Sequence, residues 1–122
     1  MKILAVDDDR SFLQMIAESL YSFKFDVAIS STYDDAITSL ETFDPDIALL
    51  DYLMKGDKRT GIDLAIDMKK VKPSIKIVLI TGLLIREQYD KESLFIKTFK
   101  KPINTDNLGQ YLRSVKQSAQ TA

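Results

Sequence analysis

Ile47-Ala48-Leu49-Leu50-Asp51-Tyr52 is the stretch from which the fold is read. Four consecutive apolar residues leave no helical gap, so they predict a strand buried on both faces, the kind found in parallel sheets covered by helices. Asp51 closes the run. A carboxylate at the carboxyl end of a buried strand costs free energy unless it is paired or liganded. In open α/β sheets the ligand site lies just beyond those strand ends. Asp51 is therefore the first candidate for chemistry.

Working outward toward the amino terminus, Ile3-Leu4-Ala5-Val6 predicts a short strand that ends at Asp7-Asp8-Asp9. Phe12, Leu13, Ile16, Ala17 and Leu20 recur at helical spacing, which predicts a helix over residues 10 to 22 with acids near its favourable N-terminal end. Phe25 to Ile29 alternates weakly and suits a strand near an edge. Ser31 or Thr32 is placed to cap a helix whose inward face is Ala36, Ile37, Leu40 and Phe43, and Pro45 stops it.

Toward the carboxyl terminus, Met54-Lys55-Gly56-Asp57-Lys58-Arg59-Thr60-Gly61 is polar and glycine-containing, so it is expected to be a surface loop unsuited to a core. Thr60 is placed to cap a helix in which Ile62, Ala65, Ile66 and Val71 are spaced for burial, and which ends before Pro73. Ile75 to Ile80 predicts the fourth strand, with Thr81-Gly82 at its end. Residues 86 to 93 have no apolar stripe and are expected to form a weakly held fourth helix. Leu94 to Phe99 predicts the fifth strand, leading to Lys100-Lys101-Pro102. Asn104 or Thr105 is placed to cap a last helix bearing Leu108, Leu112 and Val115, and from Gln117 onward a polar tail is expected. Strands alternating with helices predict one α/β domain over residues 1 to 122, a doubly wound five-stranded parallel sheet of the (βα)5, flavodoxin-like kind.

Composition narrows the chemistry. A chain of 122 residues with 45% hydrophobic content supports a single core. It contains neither Cys nor His, which removes thiol and imidazole nucleophiles and bases and the common zinc sites, and leaves carboxylate, hydroxyl and amine chemistry. A net charge of −1, with the 17 Lys and Arg residues scattered, predicts no direct nucleic-acid contact. No apolar run approaches the ~18 residues of a membrane span, and Met1 to Val6 meets an acidic cluster too soon for a signal peptide, so no membrane insertion and a cytoplasmic location are expected.

The strand ends now carry Asp7 and Asp8 on the first, Asp51 on the third, Thr81 on the fourth and Lys101 just past the fifth. With the motifs VDDD, PDIALLD, ITG and KKPI in that order, the sequence resembles the receiver domain of two-component response regulators, over essentially its whole length. The resemblance implies strand order 2-1-3-4-5. It also implies that Asp51 accepts a phosphoryl group from a histidine kinase or histidine phosphotransfer protein. Asp7, Asp8, Asp51 and the backbone carbonyl of Leu53 would hold Mg²⁺, and Thr81 and Lys101 would contact the phosphoryl oxygens. Physical chemistry agrees with such a site. Three carboxylates and one ammonium leave a charge near −2, like charges ~4 Å apart repel by a few kcal/mol at an effective dielectric of about 20, and an all-oxygen ligand set suits Mg²⁺. By the same resemblance the output is a surface made by the fourth helix, fifth strand and fifth helix. It would engage a downstream effector protein or an output domain outside this chain, with a phosphorylation-linked homodimer as a further expected partner.

The match has departures. Lys55 follows Met54 where the family commonly has proline, and Gly61 arrives about two residues late, so the loop is enlarged and brings the charges of Lys55, Asp57, Lys58 and Arg59 to the rim of the site. Thr98 stands where the family has its switch aromatic, and Phe99, one position on, is expected to face the other side of the sheet. Leu53 and Leu83 occupy positions that tune phosphoryl lifetime in the family, and two apolar groups there predict slow autodephosphorylation. A phosphatase of the haloacid dehalogenase type also uses an aspartate nucleophile, a lysine and Mg²⁺, but it needs a second aspartate where this chain has Leu53. A pseudo-receiver serving only as a scaffold would not need the complete set of acceptor, metal-binding and phosphoryl-binding side chains.

Overall fold

The computed structural model describes residues 1–82 and 94–121. Nine elements follow in order: β1 (Lys2–Val6), α1 (Arg10–Ser22), β2 (Asp26–Ser30), α2 (Tyr33–Thr42), β3 (Ile47–Leu50), α3 (Gly61–Val71), β4 (Lys76–Thr81), β5 (Lys97–Lys100) and α4 (Thr105–Thr121). All neighbouring strands pair in parallel, in the order β2-β1-β3-β4-β5 implied by the resemblance.

The continuous apolar runs of β1, β3 and β4 are explained by how their residues divide between the two faces. On one face Leu4, Val6, Ala48, Leu50, Ile77 and Leu79 pack with Tyr33, Ala36 and Leu40 of α2 and with Leu64, Ala65 and Met68 of α3. On the other, Ile3, Ala5, Ile47, Leu49, Val78 and Ile80 pack with Leu13, Ile16 and Leu20 of α1 and with Leu108 and Leu112 of α4. Alternate residues serve alternate faces, so every position is buried and no polar stripe is tolerated. Each fully buried Leu or Ile contributes roughly 1.5–3 kcal/mol of transfer free energy. The edge strands differ: β2 is only partly buried and β5 is largely exposed.

Helix starts follow the expected chemistry. Asp9 caps α1, accepting from the Phe12 N–H, and Thr32 caps α2, accepting from Asp35. Thr60 caps α3 in a reciprocal box with Asp63, and Asn104 accepts from the Asn107 N–H at the start of α4.

Several expectations need correction. Met54, assigned to a loop outside the core, is 4% exposed and packs into the α2/α3-side core, because its unbranched side chain turns in beneath the loop. The fifth strand begins at Lys97, not Leu94. The segment from Gln117, read as a tail, continues the backbone of α4 to Thr121. Phe99 does lie on the α1/α4 side, edge-on to Tyr111 at 5.6 Å, while Thr98 is exposed. The helix expected over 86 to 93, and Leu83, lie outside the described residues. Among those described, no helix is long and apolar enough to cross a membrane.

Candidate functional site

The parallel ladder runs one residue beyond the strands and delivers the acidic side chains to the carboxyl rim. Asp7 N–H donates to the Ser30 carbonyl (3.2 Å) and Asp51 N–H to the Val6 carbonyl (3.2 Å), while Lys101 N–H donates to the Thr81 carbonyl (2.9 Å). Backbone pairing therefore positions three of the site's residues before any side-chain contact is considered. The Lys101–Pro102 bond is cis.

A cleft of about 430 Å³ opens at this rim, lined by Asp7, Asp8, Asp9, Asp51, Leu53, Lys55, Thr81, Gly82 and Lys101. All six residues singled out from the sequence line it. Carboxylate oxygens of Asp7, Asp8 and Asp51 lie within 4.8 Å of one another. The Lys101 ammonium donates to Asp7 Oδ2 at 2.8 Å and to Asp51 Oδ2 at 3.3 Å, and lies 4.4 Å from the centroid of the Phe12 ring. Asp7 Oδ1 accepts from the Asp9 N–H at 2.9 Å, and Asp51 Oδ1 from the Tyr52 N–H at 2.8 Å. Asp7 and Thr81 are each only 2% exposed, whereas the side of the cleft formed by Leu53 is open, that residue being 53% exposed.

The electrostatics follow from this crowding. Burial is the chief reason the Asp7 carboxyl is pushed above the ordinary carboxylate range; the Asp51 charge adds to it, against the lowering effect of Lys101 and the Asp9 N–H. Burial also works against the charge of Lys101, but its hydrogen bonds and charge interactions with Asp7 and Asp51 outweigh that and hold its pKa above the usual lysine value. One ammonium thus compensates part of a three-carboxylate cluster. The donor set is hard oxygen throughout, with neither thiolate nor imidazole in the chain, and it fits Mg²⁺ rather than zinc or copper. Of the Asp7-Asp8-Asp9 run, all three line the cleft, but Asp9 uses a carboxylate oxygen to cap α1, while Asp7 and Asp8 join Asp51 in the carboxylate cluster.

Some contributors escaped the reading of the sequence. Phe12 is one of the helical apolar positions of α1, and nothing in its spacing says that its ring flanks Lys101. Gly61 abuts the backbone of Asp51: a Cβ there would sit 2.1 Å from the Asp51 carbonyl oxygen. The enlarged loop is built rather than slack, with an antiparallel bridge between Leu53 and Thr60, and the Lys55 N–H donates to Asp8 Oδ2 at 3.2 Å.

A family model described as the response regulator receiver domain matches residues 3–113. The chain belongs to this family. Among its relatives, this receiver domain is 30% identical over 90 residues to the alkaline phosphatase synthesis transcriptional regulatory protein PhoP of Bacillus subtilis, covering 74% of this chain and 36% of that protein. It is 32% identical over 81 residues to the DNA-binding response regulator MtrA of Mycobacterium tuberculosis H37Rv, covering 66% of this chain and 34% of the relative. The receiver domain thus spans about a third of the length of these regulators. In fold it is similar to a CheY-like receiver domain protein from Methanospirillum hungatei, with a TM-score of 0.89 at 22% identity, covering 98% of this chain and 96% of the other.

Proposed function

We propose that this receiver domain accepts a phosphoryl group on Asp51 in a Mg²⁺-dependent reaction and so switches a protein-binding surface. The observation that carries the reading is the convergence of Asp7, Asp8 and Asp51 within 4.8 Å, with the Lys101 ammonium bonded to two of the three. In transfer, an Asp51 carboxylate oxygen forms the new O–P bond as the P–N bond of a donor phosphohistidine breaks, and the departing imidazole nitrogen keeps the electron pair and takes up a proton. Lys101 and the Thr81 hydroxyl would donate to the equatorial phosphoryl oxygens. Asp7, Asp8, Asp51 and the Leu53 carbonyl would hold the metal; when bound, Mg²⁺ would neutralise the carboxylates and the charge on the transferring group. This makes the chain a phosphoacceptor with slow self-catalysed chemistry rather than a turnover enzyme.

Its donor would be a histidine kinase or histidine phosphotransfer protein in the cytoplasm, and its target an effector protein or an output domain beyond the matched region. PhoP is described as a transcriptional regulatory protein and MtrA as a DNA-binding response regulator, which favours an output through DNA binding. Drawing the Thr81 side chain toward the phosphoryl group would pull on the backbone at Gly82 and so carry the change beyond the cleft. Phe99 packs against Tyr111 and so does not supply the usual aromatic of position 98.

Incubation with acetyl phosphate, with and without Mg²⁺, tests the assignment. Intact mass should show one added phosphoryl group in the wild type with Mg²⁺ and none in Asp51→Asn. Equal labelling of the two proteins would remove Asp51 as the acceptor.

A further inference from the structure

We propose that Lys55 is a second cation of the transfer cleft, whose ammonium captures the doubly negative phosphoryl donor; the proposal rests on the reading of Asp51 as the acceptor.

The loop between β3 and α3 is anchored on both sides of this residue. Before it, Met54 is buried in the core. After it, Gly56 turns the chain at φ 80°, and the Asp57 N–H donates back to the Met54 carbonyl at 3.0 Å. Arg59 forms the far wall: its guanidinium donates to Asp57 at 3.0 and 2.9 Å and to Asp34 at 3.2 Å, and stands 3.7 Å above the Tyr33 ring. The Tyr33 hydroxyl in turn donates to Asp67.

These contacts sort the four charges of the loop. Asp57 and Arg59 satisfy one another, and Lys58 is exposed away from the cleft lining. Lys55 lines the cleft with Asp51, Thr81 and Lys101, and its N–H on Asp8 fixes its backbone beside the acidic cluster. Among the described residues its ammonium makes no hydrogen bond or ion pair. A compact cation on a flexible four-carbon stem is thus held at the mouth of a cleft whose own charge repels its substrate. Lys101 is occupied by two carboxylates, so Lys55 is the lysine of this cleft left to meet an incoming anion.

The test is the second-order rate of Asp51 labelling by acetyl phosphate with saturating Mg²⁺, followed from low salt to about 1 M, where the screening length falls to ~3 Å. Lys55→Gln should label roughly three- to five-fold more slowly at low salt, the scale of one solvent-screened charge pair, and the deficit should vanish at high salt. Lys55→Arg should label like the wild type. Equal rates for Lys55→Gln and wild type across the series would overturn the proposal. So would a deficit that persists at high salt or that Arg fails to restore, since either indicates a displaced loop. Absence of labelling in the wild type would instead discard the functional reading, and this proposal with it.

Discussion

A methyl group on Gly61 would lie 2.1 Å from the Asp51 carbonyl oxygen and 3.1 Å from the Tyr52 Cα, both of them backbone atoms that cannot swing aside. The same residue donates its N–H to the Tyr52 carbonyl at 2.7 Å, so α3 starts hard against the strand end that carries Asp51. Gly61→Ala should therefore cost about 1–3 kcal/mol, the range for forcing extra volume into packed structure, with a lower urea midpoint as the readout. With Asp51 as the proposed acceptor, labelling by acetyl phosphate should slow as well, because relief of the clash must move the Asp51 backbone. The lateness of this glycine is visible in the sequence. Its role is not, because a close approach between segments ten residues apart is a property of packing.

The β3–α3 loop behaves as an element in its own right. The Arg59 guanidinium beside Asp57 holds that carboxyl at about 2, well below the ordinary aspartate value, through a side-chain hydrogen bond first and a backbone one second. A depressed folded-state pKa contributes stability that is fully present above the unfolded value of ~3.9 and is lost as pH falls through the folded one. The stability difference between wild type and Asp57→Asn should accordingly hold steady above pH 4 and close between pH ~4 and ~2. A carbon-detected NMR titration should place the Asp57 midpoint near 2 in the wild type, and Arg59→Ala should return it toward the ordinary value. Both groups are solvent-exposed at their outer edge, so the effect is best seen at low ionic strength.

This loop also shows where legibility stopped. Thr32, Thr60 and Asn104 were readable as caps because a cap is a local pairing of a side chain with an N–H two or three residues on. Met54 was not readable as core, since a polar, glycine-bearing neighbourhood hides one apolar side chain turned inward. The start of β5 is not legible, because Leu94, Phe95 and Ile96 continue an apolar run into a strand whose register begins at Lys97, with only the Ile96 N–H bonded to Ile77 before it.

At the scale of the whole molecule, the two-sided burial of β1, β3 and β4 was legible as apolar runs, and the carboxyl ends of those runs named every acidic residue of the cleft. The same arrangement stores a cost. Three carboxylates within 4.8 Å repel by about 3 kcal/mol per charged pair at an effective dielectric of about 20, and one lysine offsets only part of it. A cation that binds the folded rim and not the unfolded chain must then stabilise the entire domain, by about 2.7 kcal/mol at one hundred times its dissociation constant. Urea unfolding with Mg²⁺ at that excess should shift upward by roughly 1–3 M relative to a chelated sample, given a slope of about 1–3 kcal/mol per molar for a domain of this size. Asp8→Asn should shrink that shift, since it removes one carboxylate of the cluster while leaving both cores untouched. An equal Mg²⁺ response in Asp8→Asn and wild type would place the cation elsewhere, and the crowded rim would then have to be held together by Lys101 alone.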